Sequence, residues 1–167
     1  MGTSALKSPA ITNADATPVV ANNPGVDGGV IRSKIGYVTA KASDDTSSVY
    51  RFARVPSNAY IRSIKFASAA SGVTGQVNIG VHQTPANGGA VVDADLFASA
   101  LDPGGAAIAL TDVTFESGEY TYAEAHKPLW EVLGLSADPN RDYDITASVA
   151  ETIADATPMY LEAQYVI

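Results

Sequence analysis

The segment "SVYRFARV" (Ser48–Val55) decides the fold class, because its side chains alternate with a period of two residues. That period is typical of a β-strand, in which successive side chains point to opposite faces of the sheet. The segment "QVNIGVHQT" (Gln76–Thr84) repeats the pattern, with Val77, Ile79 and Val81 on one side. We therefore expect these three residues to face a core and their neighbours to face out.

The chain after residue 28 reads as further short strands separated by turns. The best strand signals near its end are "DYDITASVAE" (Asp142–Glu151) and "PMYLEAQYVI" (Pro158–Ile167). The best helix signal is "KPLWEVLGL" (Lys127–Leu135), where Pro128 suits a first turn and Gly134 ends the helix. About eight strands with one or two short helices predict an all-β fold, a jelly-roll-like β-sandwich.

Residues 1–28 have a different composition. Pro9, Pro18 and Pro24 disfavour helix, and small polar residues dominate with no sustained period. The sequence predicts an extended N-terminal arm over residues 1–28, followed by a β-sandwich domain over residues 29–167. The arm carries isolated apolar residues that we take as its contact points: Leu6, Ile11, Val19 and Val20.

Composition excludes several classes of function. The 167 residues include no cysteine, so disulfides, thiolate zinc sites and cysteine nucleophiles are impossible. The net charge of −8 argues against a nucleic-acid partner, which requires clustered lysine and arginine. No run of about 18 apolar residues is present, so we expect no membrane span. The first residues also lack the pattern of a secretion signal.

The stretch "SADPNRDYDI" (Ser136–Ile145) resembles the start of a calcium loop, because acidic or amide residues occupy alternate positions. An EF-hand loop that began at Asp138 would need Gly at its sixth position and Glu at its twelfth, where this chain has Tyr143 and Val149. "DPNR" is, in contrast, favourable β-turn chemistry. We predict a turn, with a calcium site of another kind as the alternative.

The candidates for catalysis are few. Asp93 and Asp95 lie two apart and could form a carboxylate pair, but we expect Asp93 to be the N-cap of a helical turn. His82 and His126 lie in unrelated segments, and we expect both on the surface. The chain has no nucleophile-elbow motif, phosphate-binding loop or dinucleotide fingerprint. We therefore expect no enzyme, and no catalytic, cofactor-binding or metal-ligating residues.

Two aromatic features allow two interpretations each. Tyr120 and Tyr122 alternate in "EYTYAEA" and suit either ordinary packing or a platform on which sugars stack. Trp130, the one tryptophan, lies in the predicted helix and is expected in the core. Exposure of Trp130 would instead favour a ligand platform.

Several segments together resemble a group of small structural proteins of tailed bacteriophages, the head components of the decoration or cement type. The segments are "SVYRFARVPSNAYIRSIKFAS", "GQVNIGVHQT", "GGAVVDADLFASALD", "KPLWEVLGLSADPNRDYDITAS" and "YLEAQYV". The resemblance covers about residues 29–167 and rests on overall pattern. It transfers no functional residues, because such proteins act through surfaces.

The resemblance implies a β-sandwich on the capsid exterior that stabilises the shell. The implied partners are the major capsid protein and further copies of the chain itself, as a dimer or trimer. An arm with scattered apolar residues suits this task, because it can add backbone hydrogen bonds to a neighbouring sheet and insert side chains into pockets. The alternative is a carbohydrate- or receptor-binding module of a phage tail or fibre.

Overall fold

The computed structural model describes residues 6–167, which form eight strands and two short α-helices. The strands are β1 Arg32–Ala40, β2 Val49–Pro56, β3 Tyr60–Ser68, β4 Gln76–Gln83, β5 Val91–Leu101, β6 Ile108–Asp112, β7 Asp142–Glu151 and β8 Thr157–Val166. The helices are α1 Pro9–Ala14 and α2 Leu129–Val132, with a 3-10 turn at Pro85–Asn87. None of these helices has the length and apolar character needed to cross a bilayer.

The strands form two four-stranded antiparallel sheets, in the orders β1-β8-β3-β6 and β2-β7-β4-β5. The predicted β-sandwich is therefore confirmed. The first four strands pair with the last four in reverse order, β1 with β8, β2 with β7, β3 with β6 and β4 with β5. This pairing is the one that results when a single long hairpin is rolled up. We therefore infer that the sandwich is of the jelly-roll kind.

The core lies between the two sheets and follows the predicted alternation. Val77, Ile79 and Val81 of β4 are completely buried, as are Phe66 of β3 and Leu161 of β8. Each such side chain stabilises the fold by about 1.5–3 kcal/mol relative to an exposed position. Burial of this kind gives the domain its stability without a disulfide.

Strand β1 is an edge strand of its sheet. The apolar residues at every second position of β1 lie on the solvent-exposed side of the sheet. Ile35 and Tyr37 are each 66% exposed, whereas Val38 is partly buried against the core. Gly36 explains this orientation, because a Cβ there would lie 2.5 Å from the carbonyl oxygen of Phe52. The glycine lets β1 approach β2 closely, and Ile35 and Tyr37 are left on the surface.

Strand β2 contains a bulge between Arg51 and Ala53. The bulge inserts one residue, so that Phe52 and Ala53 are both buried. Val55 is then the next side chain of β2 that faces the core. Arg51 and Arg54, which would face opposite sides of a regular strand, consequently lie on the same outer surface.

Two local expectations were wrong. Asp93 begins no helix, because it lies within the 11-residue strand β5. Trp130 is only partly buried, and its neighbour Leu129 is the residue of α2 that enters the core. The helix itself and its end at Gly134, which adopts a positive φ of 71°, agree with the sequence pattern.

The arm differs from the predicted extended form at the helical turn α1 and at a turn over residues 24–28. The side chain of Ser8 caps this helix by accepting a hydrogen bond from the backbone N–H of Ile11 at 3.3 Å. Pro9 occupies the first turn, where a missing N–H costs nothing. Proline therefore starts a helix here instead of preventing one.

Candidate functional site

Exposed large apolar side chains are concentrated in the N-terminal part of the described chain. Nine of eighteen lie between residues 6 and 37, and the other nine are spread over residues 49–167. The nine are Leu6, Ile11, Val19, Val20, Val26, Val30, Ile31, Ile35 and Tyr37. Contiguous apolar patches are typical of interaction surfaces, and this part of the sequence supplies half of the exposed large apolar side chains from which one could be built.

All four residues predicted as contact points belong to this exposed set. Leu6 is 93% exposed, Val19 70%, Ile11 51% and Val20 50%. None of the four belongs to the buried core cluster. Their apolar area therefore contributes little to folding and is available to a partner, and contact with a capsid stays a prediction.

Side-chain amides hold α1 against the turn that follows it. The Asn13 amide donates to Oδ1 of Asn22 at 2.9 Å, and the Asn22 amide donates to the carbonyl oxygen of Ala10 and to a carboxylate oxygen of Asp27. The backbone N–H of Val20 donates to the carbonyl oxygen of Asn13 at 3.1 Å. The arm is consequently a small folded lobe, which lowers the entropy lost when it binds.

The end of the arm is fixed to the sandwich. Asn23 donates to the hydroxyl of Tyr60 at 2.9 Å, and the Arg62 guanidinium donates to the carbonyl oxygens of Gly25 and Ala125. Gly25 is required at its position, because a Cβ would lie 2.3 Å from the Tyr60 ring. The segment 23–29 thus packs on the domain, and α1 lies beside His126, with which Pro9, Ala10 and Asn13 share a cavity.

A cleft of about 580 Å³ lies where the arm meets the sandwich. Tyr60, Trp130 and His126 line it, together with Asn23 of the arm and the C-terminal Ile167. The sequence did not predict this cleft, because its walls come from segments far apart in the chain. Trp130 is partly exposed in this cleft. This exposure is the observation that favours the alternative function, in which the domain binds a small ligand.

The predicted calcium-like stretch is a turn followed by an ion pair. Oδ1 of Asp138 accepts hydrogen bonds from the backbone N–H of Asn140 at 2.9 Å and from the hydroxyl of Ser57. Asp144, in β7, is bound by Arg54 at 2.7 Å and by Arg51 at 3.0 Å. These contacts are of the kind that the turn interpretation expects, and both carboxylates already have partners within the fold.

The environment of Asp144 controls its charge. Burial alone would raise its pKa, but hydrogen bonds from Arg54 and Arg51 outweigh burial and hold the pKa below the usual value. Arg51 also donates to the carbonyl oxygens of Gln83 and Gly89. The ion pair therefore fastens the Pro85–Asn87 turn onto the outer face of the β2-β7-β4-β5 sheet.

His82 was expected on the surface, and this expectation was wrong. It faces the outer side of β4 but is only 5% exposed, and its Nδ1 lies 2.9 Å from the hydroxyl oxygen of Thr146. Burial lowers the pKa of His82, and the positive charge of Arg51 lowers it further. His82 is therefore a neutral structural residue. His126 is exposed, as predicted, beside the cleft.

Asp93 and Asp95 do approach each other, and Glu119 joins them. One oxygen atom from each of the three carboxylates lies within 4.8 Å of the others. The charges of Asp93 and Asp95 raise the pKa of Glu119. The three residues thus form an acidic patch on one edge of the sandwich.

Tyr120 and Tyr122 do not form a common platform. Tyr120 is buried and packs edge-on against Phe97 at 5.3 Å, while its hydroxyl donates to the carbonyl oxygen of Ile61. Burial raises the pKa of Tyr120 to about 12. Tyr122 is 87% exposed. Packing is therefore the correct interpretation for Tyr120.

Comparison with known proteins identifies the fold. No protein-family model matches the chain, and no curated protein matches it. The chain is similar to a chain of the capsid asymmetric unit of cyanophage Pam1, with 15% identity and a TM-score of 0.54, over 96% of this chain and 99% of that one. It is also similar to a chain of the acid-stable capsid of Helicobacter pylori bacteriophage KHP30, with 14% identity and a TM-score of 0.39, over 83% and 94%. The sandwich is thus a fold found in a phage capsid.

Proposed function

We propose that this protein is a non-enzymatic structural protein of a phage virion that binds the outer surface of the capsid and stabilises the shell, as decoration or cement proteins do. The observation that carries this proposal is the arm, whose apolar residues are exposed on a domain that is otherwise well packed. The fold shared with a chain of a phage capsid supports it.

The arm has the physical properties that a segment needs in order to bind tightly to a capsid surface. Burying an exposed Leu, Ile or Val in a partner's pocket yields about 1.5–3 kcal/mol per side chain, reduced by the cost of ordering. Its folded lobe keeps that cost low, and residues 23–29 fix its base to the domain. Many copies on one lattice add further stability if neighbouring copies also touch.

The partners in this proposal are the major capsid protein and further copies of the chain itself, on the exterior of the capsid. A non-enzymatic role is supported by what the titratable residues do. Asp144 and Asp138 are engaged in the fold, and His82 is buried against Thr146. These groups serve structure, which is what a surface-binding protein needs.

Deletion of residues 1–22 tests the proposal. Full-length protein and the 23–167 variant are sedimented with undecorated capsids, and the bound fractions are compared. We expect the full chain to pellet with the shells and the variant to stay in the supernatant. The variant retains Asn23, Gly25 and their contacts with Tyr60 and Arg62, so it should keep the cooperative unfolding transition of the sandwich although it lacks α1.

A second deletion, of residues 1–28, tests the predicted domain boundary. If 29–167 folds as an independent sandwich, this variant should also unfold cooperatively, although it loses the contacts of Gly25.

For the first deletion, equal binding to capsids by full-length and 23–167 protein would contradict the proposal that the arm binds the capsid.

The alternative, a carbohydrate- or receptor-binding module, is favoured by the cleft beside Trp130. Because the chain has one tryptophan, its fluorescence reports on this cleft alone. A saturable emission change on titration with a panel of bacterial-surface sugars, abolished by Tyr60→Ala, would support the alternative. The capsid proposal expects no such change.

A further inference from the structure

Two open spaces adjoin each other where the arm meets the sandwich. One is the cleft of about 580 Å³ beside Trp130, and the other is a cavity of about 510 Å³ lined by Pro9 and Ala10 of α1. Asn23 and His126 line both spaces. Each volume lies within the range of about 300–1,000 Å³ that is typical of ligand pockets. The chemistry of the two sets of walls differs, so one ligand can place a different group in each.

Backbone hydrogen bonds fix the aromatic walls of the cleft. The N–H of Trp130 donates to the carbonyl oxygen of Ser57 at 2.9 Å, and the N–H of Leu129 donates to that of Ala59 at 2.8 Å. These bonds hold α2 against the loop before β3, whose first residue is Tyr60. Two aromatic side chains therefore line one cleft from elements that are fastened to each other.

The charge at the cleft is negative. Glu131, which follows Trp130 in α2, is exposed and lines the cleft. Among residues 6–167, which the structure describes, no lysine or arginine lines it. A positive charge is attracted by a carboxylate and also by the face of an aromatic ring, most strongly by that of tryptophan. The cleft thus has the two kinds of group that bind an organic cation.

The cations closest in sequence to the walls of the cleft have other partners. The Arg62 guanidinium donates to the carbonyl oxygens of Gly25 and Ala125. Nζ of Lys127 lies 3.6 Å from Oε1 of Glu124. Neither side chain occupies the position that a bound cation would take beside Glu131.

The adjoining cavity is suited to an apolar group. Pro9, Ala10 and Val26 form its apolar walls, and Val26 remains 45% exposed, so these walls do not close on each other. The polar walls are already engaged, because the Asn13 amide donates to Asn22 and the Asn22 amide donates to the carbonyl oxygen of Ala10. An occupant therefore needs few hydrogen bonds of its own and gains by burying apolar surface.

We propose that the cleft and the cavity together bind an ammonium cation that carries an aliphatic chain. The ammonium group lies between Glu131 and the rings of Trp130 and Tyr60, and the chain extends past His126 into the cavity. The net charge of −8 favours the approach of such a ligand. This inference concerns a ligand other than a sugar, and it holds whether or not the arm binds a capsid.

The fluorescence of Trp130 tests the two parts of the site separately. Hexylamine supplies both the cation and the chain, methylamine supplies the cation alone, and 1-hexanol supplies the chain alone. Hexylamine should produce a saturable change in emission. It should bind at least about tenfold more tightly than methylamine, and about threefold more tightly than 1-hexanol.

Charge reversal at Glu131 tests the position of the cation. Glu131→Lys should weaken the binding of hexylamine by at least about tenfold, because an attractive charge becomes a repulsive one. Glu151→Lys is the matched control, since Glu151 is exposed at the end of β7 and its reversal changes the net charge equally. It should leave the affinity unchanged, and circular dichroism checks that both variants fold.

A lysine side chain of a protein partner has the same chemistry as a free alkylamine, and N-acetyl-lysine amide distinguishes the two sources. If it binds more tightly than hexylamine, the ligand is assigned to a protein; if it binds more weakly, the ligand is a free amine. Both results support the site.

Three results would overturn the proposal. They are the absence of a saturable response to hexylamine, equal affinities for hexylamine and 1-hexanol, and equal affinities of folded Glu131→Lys and Glu151→Lys for hexylamine. Should Glu131→Lys misfold, the comparison of the three probes on the wild-type chain decides. A saturable response to neutral sugars in place of hexylamine would assign the cleft to the carbohydrate-binding alternative instead.

Discussion

The arm and the sandwich use the same apolar residue types with opposite results. Ile79 in β4 is fully buried, whereas Ile11 in α1 is 51% exposed, and valines differ in the same way between Val81 and Val19. In the sandwich the apolar residues recur every second position, so one face of each strand is buried. In the arm they are irregularly spaced and form no such face. The comparison teaches that the arm's apolar residues do not hold the fold together.

The largest expected effect is a difference in the free energy of unfolding between substitutions of two isoleucines, one in the sandwich and one in the arm. Ile79→Ala should lower the free energy of unfolding by about 2–5 kcal/mol, as truncations in packed cores do. Ile11→Ala should change it by less than about 0.5 kcal/mol, as exposed substitutions do. Urea denaturation of both variants measures the difference. Equal losses would mean that the arm belongs to the core.

A smaller effect is expected at the ion pair on the outer face of the sandwich. Asp144→Asn should cost about 2–3 kcal/mol, less than a fully buried pair because Arg51 and Arg54 are partly solvated. Asp142→Asn is the matched control, since Asp142 is exposed on the same strand, and it should cost less than about 0.5 kcal/mol. A similar loss in both variants would refute a specific role for Asp144.

The same pair predicts a dependence on pH. The folded pKa of Asp144 lies below the ordinary value of 3.8, so the carboxylate stabilises the fold above that pH. This contribution is lost as the pH falls through the lower, folded pKa. The difference in stability between wild type and Asp144→Asn should therefore be constant from pH 7 to about 5 and shrink in stronger acid. A difference that grows on acidification would contradict the assignment.

The smallest of these losses is expected at Trp130, which is compared with its fully buried neighbour in α2. Leu129→Ala should destabilise the protein by about 2–5 kcal/mol, because Leu129 is fully buried. Trp130→Ala should cost only about 1–2 kcal/mol, below the usual range for a buried aromatic side chain. Thermal unfolding monitored by circular dichroism compares them. A larger loss at Trp130 would restore it to the core and weaken the case for a ligand in the cleft.

Much of the fold follows from local pattern. The alternation in β4 and β8, and the proline and glycine that bound α2, predict those elements correctly. The alternation in β1 predicts the wrong inward-facing side. The close approach of Phe52 leaves room only for a glycine at position 36, and Gly36 therefore determines which side of β1 faces the core. Strand β5 is not evident because four residues, 94–97, lie opposite the single residue Gly80, which disturbs the period. Both features depend on contact with the neighbouring strand, which the periodicity of one segment alone does not show.

The candidate surface is less predictable than the fold. The exposure of the four predicted contact residues of the arm follows from composition, since isolated apolar residues among prolines cannot be buried by the arm itself. The helix α1 was overlooked, although Ser8 followed by Pro9 is a start signal. The cleft beside Trp130 requires the three-dimensional pairing of segments that lie far apart in the chain.

Substitution within the arm tests the central claim most directly. Ile11→Ser, Val19→Ser and Val20→Ser are combined in one chain, with Val73→Ser, at a position 89% exposed on the sandwich, as the control. Both proteins are sedimented with undecorated capsids over a range of concentrations. The account predicts wild-type binding for the control and at least about a tenfold weaker affinity for the arm variant, equivalent to about 1.4 kcal/mol. Equal affinities of the two variants, with both folded, would contradict the claim that the arm holds the capsid.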